Sequence, residues 1–465
     1  MQENHYLKVK DMIKVTNGTL LQGNEEEVCE NFSRDTRTIE RGEMYLGIKG
    51  ESINGGIYWK EALDKGAKGV IVQDTEISEE ERKAYPEKII IQVKNVVEAM
   101  GKMAKYKRSL YHIPFIAITG SVGKTSTKDM VASVMNRKYD TLKTQGNYNN
   151  QIGLPLTILS LKEQQAAVVE MGMNHFGEIS YLTNIAKPDV AVITNIGTAH
   201  IGILGSRENI LKAKMEILEG LSPNGTVVIN KDNDLLQDWY EKNKNSYHII
   251  TYGIEQERDY MAKEIESYED RSEYVLYRKG EKVGKIVVPV GGNHFIQNSL
   301  CAIAVGEIFE IPMEKIQEGI QSFELTKKRM DITKKENGTT IINDCYNANL
   351  DSMRAAIEYL GKIKDKRKIA VLGDMLELGD YAKELHRKVG DIVAKENIDT
   401  LVTVGTEAKE IAREAQKQGM QEENIKMCES NEEAAGYLKR ILKENDVILF
   451  KASNAMHFDE IIHNL

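Results

Sequence analysis

The sequence predicts an α/β protein built from three domains. Short apolar segments of strand length alternate with helical stretches along nearly all of the 465 residues, and this order is typical of parallel sheets whose crossovers are helices. Pro114 interrupts the alternation, and a further series of strands and helices begins near residue 313. We therefore expect domains at residues 1–113, 114–312 and 313–465.

The composition is that of an ordinary globular protein, with 41% hydrophobic and 29% charged residues. No apolar run approaches the ~20 residues that a membrane span needs, and the start has no signal-peptide pattern, so we expect a cytoplasmic protein with no membrane partner. The net charge of −9 argues against a nucleic-acid partner. The four cysteines lie far apart without metal-type spacing, which indicates reduced thiols that pack in the core.

The predicted elements follow the chain in order. The first domain is a small α/β unit with strands at 44–48, 69–72 and 89–93 and helices at 57–65 and 96–110. The second is a parallel sheet, covered by helices on both faces, with strands at 115–119, 167–171, 190–196 and 226–229. The third is a doubly wound, Rossmann-like domain with strands at 340–344, 368–372, 400–404 and 447–450.

A glycine loop follows the first strand of the second domain. It consists of Gly120, Ser121, Val122, Gly123, Lys124, Thr125 and Ser126. Backbone N–H groups and the positive end of the next helix would meet a phosphate, Lys124 would add a charge near the terminal phosphates, and Thr125 would hold Mg²⁺. The loop is a shortened variant of G-x-x-x-x-G-K-[ST], and it predicts binding of ATP or GTP.

Ligands of open parallel sheets collect at the carboxyl ends of strands, where two further candidates, Glu170 and His200, lie. Glu170 ends a strand, and a buried carboxylate there suits a metal, although a solvated glutamate is the alternative. His200 follows the next strand and is equally well explained as a structural hydrogen bonder. Lys214 lies in a predicted helix at 207–221, and its spacing alone indicates a solvated helix face.

Amide-rich and charged segments supply the remaining candidates. Loop 146–155, with Asn149 and Asn150, is too rich in turn formers for a helix, and it suits either a polar ligand or a plain turn. In the third domain a strand is followed by Asp344, Tyr346, Asn347 and Asn349. Arg329 precedes that strand, and its guanidinium is suited to nucleotide phosphate. Lys451 and Ser453 close another strand.

In their order along the chain, these segments resemble the Mur ligase family, the ATP-dependent enzymes that build the peptide of bacterial peptidoglycan precursors. The resemblance covers nearly the whole chain. It includes Ser33, Arg34, Asp35, Thr36 and Arg37, then 120–126, 146–155, 170–172, 194–200, Lys214 with Glu216, 294–298, Arg329 and Asp344.

Within the family, Asp344-x-Tyr346-Asn347-Ala-Asn349-x-x-Ser352-Met353 is similar to the branch that adds a terminal dipeptide. Residues 33–50 resemble an amino domain that binds a uridine diphosphate. The resemblance implies a monomer whose substrates are ATP, UDP-N-acetylmuramoyl-tripeptide and D-alanyl-D-alanine. It implies substrate contacts from residues 33–37, Asn149, Asn150, Tyr346, Asn347 and Asn349.

The resemblance also implies roles for single residues. Lys124 and Thr125 would bind ATP phosphates and Mg²⁺, and the glycine loop, Asn298, Arg329 and Asp344 would contact the nucleotide. Glu170 and His200 would bind magnesium, and Lys214 would be carbamylated to help hold a second ion. Lys124, His200, Lys214 and Arg329 would be the catalytic group. The chain departs from the family pattern at Phe295, usually asparagine, and at Leu350, often proline.

Two other interpretations stay open at this point. One is another amide ligase of the superfamily, such as a folylpolyglutamate synthase or the ligase that adds the third residue. The other is a nucleotide-dependent switch, which would leave residues 33–37 and 347–349 without a role. No pattern in the sequence indicates whether the tripeptide ends in lysine or in diaminopimelate.

Overall fold

A computed structural model describes residues 5–255 and 257–465 of the chain. These residues form two compact units. The first comprises the described residues up to Ala117 together with Tyr139–Ala191 and Glu216–Gly225. The second comprises Ile118–Lys138, Val192–Met215 and the described residues from Thr226 to Leu465.

The amino-terminal part of the first unit surrounds a five-stranded sheet. Its elements are β1 (Leu7–Lys8), α1 (Val9–Thr16), β2 (Thr19–Gln22), β3 (Val28–Cys29), β4 (Phe32–Ser33), β5 (Met44–Gly47), α2 (Trp59–Asp64), β6 (Gly69–Val72), α3 (Glu79–Lys83), β7 (Ile89–Gln92) and α4 (Val96–Ser109). The strand order is β2-β7-β6-β5-β4, with β2 antiparallel to β7 and the other pairs parallel. The predicted strands and helices of this part are confirmed to within two residues.

The central strands β5 and β6 are buried along their whole length, and β7 is buried except at its last residue, so their apolar side chains form the core of this part. Tyr45, Trp59 and Leu63 pack together against Val70 and Val72. Helix α4 begins where the Asn95 side chain accepts a hydrogen bond from the Glu98 N–H, a capping arrangement that satisfies one otherwise unpaired donor.

A nine-stranded sheet follows, in the order β16-β15-β14-β13-β12-β11-β8-β10-β9. The elements are β8 (Phe115–Thr119), α5 (Lys124–Met135), β9 (Thr141–Lys143), α6 (Gly153–Leu159), β10 (Ala166–Glu170), α7 (Glu178–Ala186), β11 (Val190–Ile193), α8 (Ile201–Leu204), α9 (Arg207–Met215), β12 (Thr226–Asn230), α10 (Asp234–Asn243), β13 (His248–Gly253), β14 (Tyr260–Ser267), β15 (Ser272–Arg278), β16 (Glu281–Val288), α11 (Asn293–Ile308) and α12 (Met313–Gln321). The four predicted strands are present, although the predicted 190–196 strand already ends at Ile193.

Three expectations for this part were wrong. The sheet is not parallel throughout, since β15 pairs antiparallel with both β14 and β16. Loop 146–155 is not free of helix, because α6 begins at Gly153 and includes Pro155, which the first turn tolerates since its N–H groups need no helical partner. The helix predicted at 207–221 ends at Met215 and is followed by a 3₁₀ turn, Glu216–Gly220.

The carboxyl-terminal sheet has the order β17-β18-β22-β19-β20-β21. Its elements are β17 (Asp331–Lys334), β18 (Thr340–Asn343), α13 (Leu350–Lys362), β19 (Lys368–Gly373), α14 (Ala382–Lys395), β20 (Thr400–Val404), α15 (Lys409–Lys417), β21 (Ile425–Cys428), α16 (Asn431–Ile441), β22 (Val447–Lys451) and α17 (Asp459–His463). Only β17 is antiparallel to its neighbour, and the four predicted strands are confirmed to within one residue. Because β18 and β22 are parallel neighbours, the residues that follow them lie at one edge of the sheet.

None of the helices in the described part of the chain combines the length and the hydropathy that a membrane span requires. The four cysteines are buried and free, as expected.

Candidate active site

The glycine loop turns sharply between β8 and α5. Gly123 caps α5 with φ 80°, and Gly120 has φ 152°. A Cβ atom on Gly120 would lie 1.9 Å from Thr194 Oγ1, which no side chain could tolerate. Glycine is therefore required at both positions, by backbone conformation at Gly123 and by close approach at Gly120.

The residues that follow β11 hold this loop in place. Asn195 Oδ1 accepts hydrogen bonds from the N–H groups of Ser121 (3.1 Å) and Val122 (2.9 Å). Thr194 Oγ1 donates to the Val122 carbonyl at 2.6 Å, and the Gly197 N–H donates to Ser121 Oγ at 2.9 Å. The N–H groups of Ser121 and Val122 are thus occupied, which leaves an anion to the turn at Gly123 and the amino end of α5.

Replacement of Asn195 by alanine is expected to weaken ATP binding about tenfold, because the part-buried Val122 N–H loses its acceptor and the loop loses its shape. Titration calorimetry of ATP on the two proteins measures this change. Asn209→Ala is the matched control, since Asn209 donates to the Leu204 carbonyl and does not contact the loop. An unchanged dissociation constant for ATP in Asn195→Ala would contradict the bracing role.

Lys214 is not on a solvated helix face. Its side chain is only 1% exposed, and burial together with the positive charge of Lys124 lowers its pKa well below the usual value. Lys124 itself donates from Nζ to the Gly120 carbonyl at 2.8 Å. The Lys214 amine is therefore disposed to be neutral in the folded protein, which is the form that acts as a nucleophile.

Glu170, in the first unit, is likewise not a solvated glutamate, as it is 2% exposed at the end of β10. Asn149 Nδ2 donates to its carboxylate at 2.7 Å, so the amide-rich loop and the strand end meet. Asn150 has a local task, since its Oδ1 accepts from the Gly153 N–H at 2.9 Å at the start of α6. Ligand contacts of these residues stay a prediction.

Residues 33–37 form a turn, also in the first unit, with its own hydrogen bonds. The Asp35 N–H donates to Ser33 Oγ at 3.3 Å, and the guanidinium of Arg37 donates to the Asp35 carboxylate, which lowers the pKa of Asp35. The guanidinium of Arg34 lies 5.8 Å from the centre of the Tyr148 ring. Thr36 is nearly buried, and its carbonyl accepts from Lys65 Nζ.

In the second unit, one pocket brings together the glycine loop, the residues after β11, helix α11 and the carboxyl-terminal candidates. It is lined by Val122, Gly123, Ser126, Thr194, Asn195, Asn230, Tyr252, His294, Phe295, Gln297, Asn298, Arg329, Met330, Asp344, Tyr346, Asn347, Ser352, Ala355, Ala356 and Lys451. Of the predicted nucleotide contacts outside the loop, Asn298, Arg329 and Asp344 all line it.

Two buried donors in this pocket have no hydrogen-bond acceptor among the described residues. Asn298 Oδ1 accepts from Thr127 Oγ1 at 2.9 Å, but its Nδ2 is unsatisfied. Arg329 Nε is also unsatisfied, while its guanidinium carbon lies 4.0 Å from the centre of the Tyr346 ring. Because buried unsatisfied donors are costly, these atoms point to a ligand with acceptor atoms.

The carboxylate of Asp344, an acceptor in this pocket, already has hydrogen-bond donors. Lys451, 2% exposed, donates from Nζ to Asp344 Oδ2, and the Met330 N–H donates to Asp344 Oδ1 at 3.2 Å. Burial lowers the pKa of His294 to about 4, so this imidazole is neutral near pH 7. Asp344 is thus held in a fixed place, which suits a group that orients a ligand.

His200 precedes α8 and has a carboxylate partner. Its Nδ1 lies 3.0 Å from Glu377 Oε2, and the imidazole of His200 lowers the pKa of the Glu377 carboxyl. Asn349 caps α13, because its Oδ1 accepts from the Ser352 N–H at 2.9 Å while Ser352 Oγ accepts from the Asn349 N–H. Part of the motif at 344–353 is therefore a helix start, and ligand contacts of Tyr346, Asn347 and Asn349 stay a prediction.

Sequence reasoning missed several pocket residues and explained neither departure from the family pattern. Asn230 ends β12, a strand end that could have been flagged, whereas Tyr252 within β13 carried no signal. Phe295 is 1% exposed and stacks near Phe323, and Leu350 is 6% exposed at the start of α13. Both departures are packed as apolar residues.

Three family models match successive parts of the chain. They are described as "Mur ligase family, catalytic domain" at residues 31–108, "Mur ligase middle domain" at 118–306 and "Mur ligase, glutamate ligase domain" at 328–454. These matches support a three-domain α/β arrangement, while the boundaries at 113 and 312 stay a prediction.

Relatives extend the similarity to the full length. A "UDP-N-acetylmuramoyl-tripeptide--D-alanyl-D-alanine ligase" of Bacillus subtilis (strain 168) is 35% identical over 98% of each chain. A crystal structure of MurF from Acinetobacter baumannii superposes with a TM-score of 0.88 at 30% identity, over 99% of this chain and 98% of that one. The MurF ligase from Thermotoga maritima in complex with ADP gives a TM-score of 0.81 at 26% identity, over 94% and 96%. The chain therefore belongs to the Mur ligase family.

Proposed function

We propose that this chain joins D-alanyl-D-alanine to UDP-N-acetylmuramoyl-tripeptide at the expense of ATP, giving the UDP-muramoyl-pentapeptide precursor of peptidoglycan. The observation that carries the proposal is the end-to-end similarity to a ligase named for this reaction, at 35% identity. The motif at 344–353, which resembles that of the dipeptide-adding branch, supports the same choice.

ATP is the nucleotide that the second unit would bind. A relative of known structure holds ADP, and the pocket of this chain combines the glycine loop with the unsatisfied donors of Asn298 and Arg329. The adenine ring offers acceptor nitrogens and a planar face, which matches those donors. Arg329 is always charged and would also counter phosphate charge.

The reaction needs an activated acid, because a free carboxylate does not readily form an amide. The terminal carboxylate of the tripeptide attacks the γ-phosphorus of ATP, the bond to the bridging oxygen breaks, and an acyl phosphate and ADP form. The dipeptide amine then adds to the acyl carbon, loses a proton, and expels inorganic phosphate. Positioning and charge neutralisation by Lys124 and Arg329 carry most of the catalysis, since phosphoryl transfer leaves little covalent work to side chains.

Thr125, Glu170, His200 and a carbamate on Lys214 would hold two magnesium ions. In the part of the chain that the structure describes, no three His, Cys, Asp or Glu side chains form a metal-binding group. Lys214 fits the carbamate role, because burial favours the neutral form of its amine, and a neutral amine can add CO₂ and release a proton to become an anion. Bound Mg²⁺ would supply neutralisation of phosphate charge.

The uridine-diphosphate end of the muramoyl substrate would bind near residues 33–37 of the first domain. There the guanidinium of Arg37 is 84% exposed although it is paired with Asp35, and an exposed guanidinium suits a diphosphate. We also propose domains at 1–113, 114–312 and 313–465, a monomeric state and a cytoplasmic location, which is where nucleotide-linked precursors and ATP are available.

A coupling assay tests the proposal. Purified chain is mixed with ATP, Mg²⁺ and either the lysine or the diaminopimelate tripeptide, with and without D-alanyl-D-alanine, and phosphate release and pentapeptide mass are measured. We expect phosphate release that depends on both the tripeptide and the dipeptide. Release with folate and glutamate, or with a muramoyl dipeptide and a single amino acid, would favour another amide ligase, and slow release that needs no amine would favour a switch.

A further inference from the structure

We propose that Glu377 is a positioning residue for His200, because its carboxylate orients the imidazole and so ties metal binding to the placement of the carboxyl-terminal sheet. The inference deepens the proposed function and rests on the metal role of His200 given there. Glu377 lies in the loop between β19 and α14, within the region matched by the glutamate ligase domain, whereas His200 lies in the region matched by the middle domain.

The contact joins two residues that both have an uncommon backbone conformation. The Nδ1 to Oε2 distance is 3.0 Å, which is an ion-pair distance and not an aligned hydrogen bond, and the imidazole is 18% exposed. His200 and Glu377 each have φ 64°, in the left-handed region that side chains other than glycine rarely adopt. Such conformations persist only where the surroundings enforce them, and they cluster at functional sites.

The surroundings of this contact do enforce it. A Cβ atom on Gly202 would lie 2.6 Å from the carbonyl carbon of Leu378, so the two loops touch through their backbones. The hydroxyl of Tyr381 donates to the Gly205 carbonyl at 2.7 Å. Asp351 Oδ2, on α13, accepts from the Thr198 N–H at 2.9 Å. The segment 197–205 is therefore held at three further points by the carboxyl-terminal part.

The same segment also contacts the glycine loop, since the Gly197 N–H donates to Ser121 Oγ. Residues 197–205 thus lie between the phosphate-binding loop and the residues that follow β18 and β19. A carboxylate in this place decides how the imidazole is oriented relative to that loop.

The chemistry of the pair explains why a carboxylate is useful here. A carboxylate 3.0 Å from Nδ1 favours the tautomer of a neutral imidazole that carries its proton on Nδ1, which leaves the lone pair of Nε2 for a metal ion. The alternative is that the pair has no functional role, because Glu377 is 52% exposed and a half-exposed ion pair often contributes nothing measurable to stability. The two interpretations differ in what happens to metal affinity when the carboxylate is removed.

The test is Mn²⁺ affinity of the full chain in the presence of ADP, measured by electron paramagnetic resonance of free Mn²⁺. We expect Glu377→Ala to weaken Mn²⁺ binding by about tenfold, the usual effect of losing a group that orients a metal-binding histidine. Glu377→Gln, whose amide oxygen can occupy the same place and accept from an Nδ1–H group, is expected to retain affinity to within about threefold.

Tyr381→Phe is the matched control, since it removes a contact to the same segment without contacting His200, and it should leave Mn²⁺ affinity unchanged. An affinity of Glu377→Ala within twofold of the parent would overturn the proposal, as would an equal loss in Tyr381→Phe. Because no muramoyl substrate is present, the result is independent of the coupling assay: failure of the proposed function would appear as absent pentapeptide in the parent protein.

Discussion

Replacement of Lys124 by alanine is expected to lower kcat/KM for pentapeptide formation by about a hundredfold or more, the scale for losing one charge contact in a transition state. Lys124 opens α5 directly after the glycine loop, and its Nζ lies 2.8 Å from the Gly120 carbonyl. A lysine held there is placed to neutralise charge on the transferred phosphoryl group. Steady-state kinetics with ATP as the varied substrate measures the loss.

Lys138→Ala is the matched control for this variant. Lys138 lies beyond the other end of α5, where its Nζ donates to the Phe309 carbonyl, so the substitution removes the same charge away from the loop. We expect its activity to stay within about twofold of the parent. Full activity of Lys124→Ala would reject the assigned role of the glycine loop.

Replacement of Lys214 by alanine is expected to abolish measurable coupling, with a loss of about a thousandfold, because the anionic group that helps hold metal and phosphate charge is absent. Short carboxylic acids such as formate or acetate should restore part of the activity, since a small carboxylate can occupy the space left by the carbamate. Coupling rates at rising carboxylate concentration, with chloride at equal ionic strength for comparison, measure this rescue.

Lys212→Ala on the same helix supplies the control, because Lys212 is exposed and should tolerate the change. A ¹³C resonance from labelled CO₂, present in the parent and absent in Lys214→Ala, would report the carbamate directly. A harmless Lys214→Ala would mean that the buried amine is structural and that the carbamate proposal is wrong.

Much of the site was visible in local patterns. A strand that runs into glycines, a lysine and hydroxyls predicts a phosphate loop, and the structure shows that Gly120 and Gly123 are needed for its close approach and its backbone conformation. Asp344 was flagged because it follows a strand, and it does lie in the pocket with Asn298 and Arg329. Local signals of this kind can be recognised in the sequence because they depend only on residues that are close together in the chain.

Other parts of the site left no local trace. Lys214 reads as one more charge on a helix, and only the packing around α9 makes it buried and disposed to be neutral. Glu377 has no motif of its own, and it matters because its loop meets His200 from a part of the chain 177 residues later. The antiparallel strands β15 and β16 were likewise missed, since alternation along a strand does not reveal the direction of its neighbour.

The residues alone were enough to predict the α/β class, most strand positions and the glycine loop, because strand periodicity and glycine conformation act over short distances along the chain. Burial of Lys214, the bracing of the loop by Asn195 and the partner of His200 came only from the folded structure. All three depend on contacts between segments that are distant in the sequence. These contacts decide how much solvent and which hydrogen-bond partners surround a charged or amide group, and so determine its free energy.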